Sequence, residues 1–472
     1  MSGNTSVPHV ILHIGLGSFH RAHQAVYLNQ LHLLGDDAWV LVGGNTRPDM
    51  PDVIAALQAS GGAYTLETVT PQGERSYTRI TAIRTVLSYQ PDLGNMVSVG
   101  ANANTRIISF TVTEAGYYLD AHDKLELDFP ELAADLDAAR AGRAGSTIYG
   151  ALTALLRARM QVGAGPVTLL NCDNLRHNGE RVRGGLLEFI GLVGDSALLA
   201  WVQAHTSCPN AMVDRITPRP TPEVRARVKA ATGVDDPAAL MGESFIQWVI
   251  EDRFVAGRPD WEKAGVEMVK SVAPYEEAKI RLLNATHSCI AWAGTLAGYQ
   301  FIHEGTQDVR IRQLAYDYAS DDAIPALDRP EHPSPIDLHA YRDVVLERFG
   351  NAAIADTNQR VAMDGFSKIP GFIAPTMRER LARQESIASV SMLPALFLAY
   401  LERWHQGNIP YSYQDQAMDP ATAHAMCEAS DPVDAFCRDP VLWGPLAGEA
   451  ALISAMRQAY ARVTVFLTAY PA

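Results

Sequence analysis

Residues 10–20 read VILHIGLGSFH: a short apolar run, a turn with glycine at 15 and 17, and the opening of a helix. A parallel strand buried on both faces reads as a near-continuous apolar stretch, and this one stops at Gly15. A helix that starts straight after such a turn offers unpaired N–H groups and a positive dipole end, which suits a pyrophosphate. The pattern is G-x-G-x-x-H, with His20 where a dinucleotide fold usually keeps a third glycine. An ordinary strand–helix turn is the competing reading, but the position after the first strand is the one the motif requires.

Working outward, SFHRAHQAVYLNQLHLLG (18–35) reads as one helix and WVLVGG (39–44) as a second buried strand. AYTLETV and RSYTRITAI flank the turn TPQGE, which predicts a hairpin. RIISFTVTE (106–114) and PVTLLNC (166–172) are two further buried strands, each preceded by helical sequence. Strands alternating with helices predict a parallel α/β sheet covered on both faces. From about Tyr275 the pattern becomes helical throughout, as in KIRLLNATHSCIAWAGTLAGY (279–299) and SMLPALFLAYLERWHQG (391–407). The expected architecture is a Rossmann-like, doubly wound α/β domain over 1–275, followed by an all-helical domain over 276–472.

The chain has 472 residues and a formal net charge of -14, which argues against nucleic acid or an anionic membrane as partner. Its five cysteines form no CxxC pair, so a reducing, cytoplasmic setting is expected. The first residues, MSGNTSVPHVILHIG, lack the basic start and long apolar run of a secretory signal. No stretch approaches the ~20 continuous apolar residues of a membrane span. The expectation is a monomer or weak homo-oligomer acting on a small molecule.

A nicotinamide cofactor with an unphosphorylated ribose usually meets an acid at the end of the second strand. Here that strand runs into GGNTRPD, which puts Asn45 and Arg47 at the place and Asp49 beyond it. These residues leave NADP open, because Arg47 can neutralise a 2′-phosphate; NAD is what the family resemblance set out below implies.

Lys279, Asn284 and His287 share one apolar helix. At 100° per residue, His287 lies about 80° and Asn284 about 140° from Lys279, within one broad face. An alcohol that loses a hydride must also lose its hydroxyl proton, and a buried lysine can take it. An amide NH₂ can stabilise the alkoxide, and a neutral imidazole can hold the substrate oxygen. Each residue alone is readable as a cap or a satisfied core group. Together they imply an active site, since three unpaired polar groups in an apolar helix would cost about 1–3 kcal/mol each. Tyr275 and Lys279 also form a Y-x-x-x-K, but at the domain junction, where short-chain dehydrogenases do not carry theirs. His20 and His23 have no third partner at metal spacing, so no metal is expected.

Several motifs now stand in one order: G-x-G-x-F-x-R-A-H (15–23), TVTE-x-G-Y (111–117), CDN-x-x-HNG (172–179), MVDRITP (212–218) and K-x4-N-x2-HS (279–288). Taken together they resemble the polyol-specific long-chain dehydrogenases, the mannitol dehydrogenase family, nearly end to end. The resemblance implies metal-independent interconversion of polyols or sugar acids with ketoses on a nicotinamide cofactor. It implies Lys279 as general base, Asn174 and Asn284 as the amides that stabilise the alkoxide, and His287, Val213 and Asp214 as substrate contacts. Arg360 and Lys368 match a basic pair that reaches substrate hydroxyls. Gly15, Gly17, Phe19, Arg21, Asn45, Arg47, Thr113, Glu114 and Asn174 fall where the cofactor is held. A hydroxyacid dehydrogenase of the 6-phosphogluconate type also joins a nucleotide domain to a helical one, but MVDRITP argues against it. A non-catalytic nucleotide sensor is the remaining alternative.

Overall fold

The computed structural model describes residues 7–120 and 122–470, with the side chain of Glu114 outside that description. Contacts divide the chain into two units. The first holds the residues up to Thr70 with Arg75–Ala273, and the second Pro71–Glu74 with Pro274–Ala472.

Twelve strands lie in the first unit: β1 (His9–Ile14), β2 (Trp39–Gly44), β3 (Tyr64–Val69), β4 (Arg75–Ile80), β5 (Ile83–Val86), β6 (Thr105–Phe110), β7 (Val167–Asn171), β8 (Thr206–Ser207), β9 (Ala211–Asp214), β10 (Leu240–Glu243), β11 (Gln247–Glu251) and β12 (Glu267–Val269). Six of them build a parallel sheet in the order β5-β2-β1-β6-β7-β8. The order reverses between β1 and β6, and open α/β sheets bind ligands in the crevice at such a point. The predicted hairpin is β3–β4, with Tyr64 opposite Ile80. Two three-stranded sheets, β10-β3-β4 and β12-β11-β9, complete the unit; the last four strands were not apparent in the sequence because each is short.

The alternation within β1 explains why the sheet is covered twice. Ile11 packs with Leu41, Ile107 and Leu170 on one side, while Leu12 and Ile14 pack with Ile108 and Phe110 on the other. Burying each such side chain contributes about 1.5–3 kcal/mol. The sequence 18–35 is two helices, Ser18–Ala22 and Gln24–Leu33, rather than one. His23 breaks the run at φ -125°, ψ -86°, and its Nε2 reaches the Gln247 carbonyl oxygen at 2.8 Å. RIISFTVTE is also shorter as a strand than expected, because β6 ends at Phe110.

In the second unit every described element is a helix or helical turn, beginning with Ala273–Ala278. Ala285–Leu296 is its central helix, with Ile290, Trp292 and Ala293 fully buried among Leu396, Phe397 and Tyr400. No helix of the described residues is long and apolar enough to cross a membrane.

Arg159 shows how the first unit ties its helix ends. Fully buried, it donates to the carbonyl oxygens of Gly100, Asn102, Ala164, Gly165 and Pro166 at 2.8–3.1 Å. Two helices, Gly94–Gly100 and Ile148–Val162, end there, and a cation suits their negative dipole ends. Burial draws its pKa down to about 10, which leaves it charged at neutral pH. Arg159→Met strands these acceptors, and we expect it to lower the unfolding free energy by about 3 kcal/mol or more. Urea unfolding checks this, and a loss below about 1 kcal/mol would mean that water replaces the guanidinium.

Candidate active site

At the reversal point, β1 runs so close to the loop after β6 that a side chain on residue 15 has no room. A Cβ there would lie 2.0 Å from the Thr111 carbonyl oxygen, and Gly15 has φ +97°. His13, buried in β1, fixes this approach. Its Nδ1 meets Ser109 Oγ at 2.9 Å, and its Nε2 meets the Gly15 carbonyl oxygen and Thr111 Oγ1, both at 3.1 Å. His20 stacks on His13 with ring centroids 3.4 Å apart, filling the space left by the missing third glycine. Burial holds both imidazoles neutral: His13 falls to about 3 and His20 lies well below its ordinary value.

Beyond the turn opens a groove of about 750 Å³ lined by Gly15, Gly17, Phe19, Asn45, Arg47, Thr113 and Asn174, among others. The helix Ser18–Ala22 starts at Gly17 with no side chain capping it. Asn45 Oδ1 accepts the Leu16 N–H at 2.7 Å, while its buried Nδ2 has no partner among the described residues. A glycine cradle, an uncapped helix start and an unanswered amide donor fit a dinucleotide.

The far wall is a strained loop pinned by one carboxylate. Asp173 Oδ2 accepts the Val112 N–H at 2.9 Å, Oδ1 accepts the Thr113 N–H at 3.2 Å, and the Tyr117 hydroxyl donates to Oδ2. Burial raises the Asp173 pKa, and these three donors pull it back toward the ionised form. Thr113 sits at φ +71°, ψ 158°, a region that a β-branched residue occupies only when its surroundings force it. Behind the loop, Asn178 is fully buried and joins Asp173 to β9: its Nδ2 donates to the carbonyl oxygens of Asp173 (3.0 Å) and Ala211 (2.7 Å). The CDN-x-x-HNG stretch thus sets Asn174, exposed in the groove, and holds the strand that carries the buried Val213 and Asp214.

In the second unit Lys279 is buried, and the helix around it is not a regular α-helix. Lys279–Asn284 form a π-helical turn. Its hydrogen bonds run i→i+5, so residues five apart come one above the other. Asn284 therefore lies nearer the line of Lys279 than the regular-helix angle predicts. The wide turn is held from outside: the Tyr318 hydroxyl donates to the Arg281 carbonyl oxygen at 2.7 Å. The Arg281 guanidinium forks onto Glu379 at 2.7 Å and reaches Glu277 at 2.8 Å.

One helical step further, His287 stacks on Phe349 (4.2 Å) and faces Asp356, with Nε2 3.3 Å from Oδ2. Asp356 in turn is gripped by Arg360 through Nε (2.7 Å) and Nη2 (2.5 Å). Lys368 donates to the Val361 carbonyl oxygen at 2.6 Å, and burial draws its pKa down to about 8.

The structure therefore gathers most of the expected residues into two places and gives four of them a different setting from the expected one. Arg21 does not line the groove: it is buried, donates to the Ala238 carbonyl oxygen at 2.6 Å and lies over Tyr64. Asn45 shapes the turn with its oxygen and turns only its amide nitrogen to other uses. Arg360 is tied to Asp356 through Nε and Nη2, with most of its side chain exposed. Glu114 follows a loop, not a strand end, and its side chain lies outside the described residues. Sequence reasoning assigned no role to Asp173, Tyr117, Thr111 or Asp356; the first three lay within the quoted motifs TVTE-x-G-Y and CDN-x-x-HNG, and Asp356 in none. Among the described residues no group of three or more His, Cys, Asp or Glu side chains could hold a metal ion.

Residues 9–263 match the mannitol dehydrogenase Rossmann domain and residues 271–464 the mannitol dehydrogenase C-terminal domain. The chain belongs to the mannitol dehydrogenase family. It is 60% identical over 462 residues to the D-arabinitol 4-dehydrogenase of Ralstonia nicotianae, covering 98% of this chain and 97% of that one. The Klebsiella pneumoniae D-arabinitol 4-dehydrogenase is 54% identical over 452 residues, covering 96% and 97%. Among solved structures, a D-sorbitol dehydrogenase in substrate-free form superposes with a TM-score of 0.88 at 31% identity, covering 98% and 95%. The Pseudomonas fluorescens mannitol 2-dehydrogenase ternary complex with NAD and D-mannitol gives 0.80 at 32% identity, covering 98% and 94%. Mannitol dehydrogenases are thus similar to this chain over both of its units.

Removing the Asp173 carboxylate frees Thr113 to relax and leaves two backbone donors and a phenol unpaired. We expect Asp173→Ala to weaken dinucleotide binding about tenfold or more, read by calorimetric titration of the purified protein. Unchanged affinity would show that the loop keeps its shape without the carboxylate.

Proposed function

We propose that this protein is a polyol dehydrogenase that interconverts D-arabinitol and D-xylulose with NAD. The observation that carries the choice of substrate is the 60% identity to a D-arabinitol 4-dehydrogenase across 98% of the chain. Bound in the groove of the first unit, NAD supplies the hydride acceptor. Gly15, Gly17, Phe19, Asn45, Thr113 and Arg47, which bonds Tyr118, would hold it there.

In this reading Lys279 takes the hydroxyl proton as the carbinol carbon gives up its hydride. Lys279 is buried, so the proton would move away from bulk water. Asn174 and Asn284 donate to the oxygen as it gains negative charge, and neither has a proton it must surrender. Val213, Asp214, His287 and Lys368 hold the remaining hydroxyls. We place the enzyme in the cytoplasm, as a monomer or weak homo-oligomer; all five cysteines are free thiols, in keeping with a reducing compartment.

A panel of pentitols and hexitols with NAD and NADP tests the assignment through reduced-nicotinamide absorbance. D-arabinitol with NAD should give the highest kcat/KM, and a preference for D-mannitol would move the protein to the mannitol 2-dehydrogenases. Lys279→Ala should lower kcat about a thousandfold, as expected for loss of a general base, with NAD affinity kept. Near-normal turnover in that variant would end the proposed mechanism.

Lys368 gives a pH signature. Its amine is cationic below about 8 and neutral above. The polyol KM should therefore climb as pH passes 8, while Lys368→Arg, charged throughout, should flatten that climb.

A further inference from the structure

His287 has two ring nitrogens in different surroundings. Nε2 is sealed in the interior, 3.3 Å from Asp356 Oδ2 but without the alignment of a hydrogen bond. Nδ1 makes no hydrogen bond to the described residues, and it is not sealed off as Nε2 is. The ring lies flat on Phe349 at 4.2 Å and 16°, which holds its plane.

Asp356 is built to stay where it is. Arg360 holds both carboxylate oxygens, the Asp356 carbonyl oxygen accepts the Ile302 N–H at 2.9 Å, and Thr357 bridges to Phe301. Two residues on, Asn358 donates to the carbonyl oxygens of Gln300 and Tyr299 at 2.9 and 3.0 Å. The carboxylate is thus a fixed acceptor presented to one nitrogen of a fixed ring.

We propose that Asp356 is a positioning residue that holds His287 in the Nε2–H tautomer, so that Nδ1 offers a lone pair to a substrate hydroxyl. A carboxylate accepts only, so the proton of a neutral imidazole facing it sits on Nε2. His287 then reads a group that donates a hydrogen bond, which an alcohol does and a ketone or ether does not. The charged groups facing the ring are Asp356, which favours its protonation, and Arg360 and Lys368, which oppose it. With burial, the balance keeps the imidazole neutral, as a lone pair at Nδ1 requires. The further role of Nδ1 rests on the polyol reading above; the tautomer itself does not.

The test separates the two. Histidine-labelled full-length protein is studied by ¹⁵N–¹H correlation, with His287→Gln identifying the signal. The wild-type ring should show protonated Nε2 and bare Nδ1 in the absence of any substrate. Asp356→Asn, with its amide oxygen drawn to Arg360 and its NH₂ turned to the ring, should shift the population toward Nδ1–H. In that variant the D-arabinitol KM should rise about tenfold, while kcat and the NAD KM stay within about twofold. Asp356→Glu should recover part of the lost affinity. A wild-type ring protonated at Nδ1 overturns the proposal, whether or not the variants fold. So does an Asp356→Asn ring with unchanged tautomer. The expected tautomer in a protein that turns over no polyol supports the role of Asp356 and counts against the polyol reading alone.

Discussion

The carbonyl oxygen of Thr111 occupies the space that a side chain on residue 15 would need, and the architecture of the first unit follows from that contact. It brings the ends of β1 and β6 together at the one place where the strand order reverses. Gly15 is required there by sterics and by its positive φ, whereas the third glycine of the usual fingerprint is not. His20 can replace it because the space beneath the turn is filled by a stack of two neutral rings. The motif is therefore degenerate at the position where packing offers an alternative, and strict where a backbone oxygen does not.

The second unit solves a different problem, that of keeping polar groups inside a helical core. Buried charges are tolerated only when paired and hydrogen-bonded. Arg281 answers to Glu277 and Glu379, Arg380 to Asp322, and Asp356 to Arg360 and His287. The π turn belongs to the same economy of contacts. The Tyr318 hydroxyl donates to the Arg281 carbonyl within that turn. A local irregularity is thus stabilised by groups on other elements, and it carries the lysine and the amide.

This explains what the sequence could and could not disclose. The apolar runs VILHI, WVLVGG and PVTLLNC are strands because their neighbours bury both faces, a property written in each run. The loss of strands after residue 275 was legible for the same reason. The break at His23 was not, because it is set by the carbonyl of Gln247, far along the chain. Nor was the π turn, which depends on Tyr318 and Glu379, or the partnership of His287 with Asp356. Arg21 was misplaced because a conserved-looking motif does not say which way a side chain points; its guanidinium turned inward to Ala238. Identity of residues was readable along the chain, while the pairing of polar groups was a property of the fold.

The two sites also differ in how they respond to protons. The groove of the first unit is lined by backbone and by the Asn45 and Asn174 amides, and it rests on histidines held neutral by burial. None of these changes charge near neutral pH. The cluster around His287 contains an imidazole shifted by burial and an amine drawn down to about 8. Hydride chemistry needs a cofactor whose hold is steady and a substrate whose proton can leave. Among these groups the titration nearest neutral pH is that of Lys368, in the second unit.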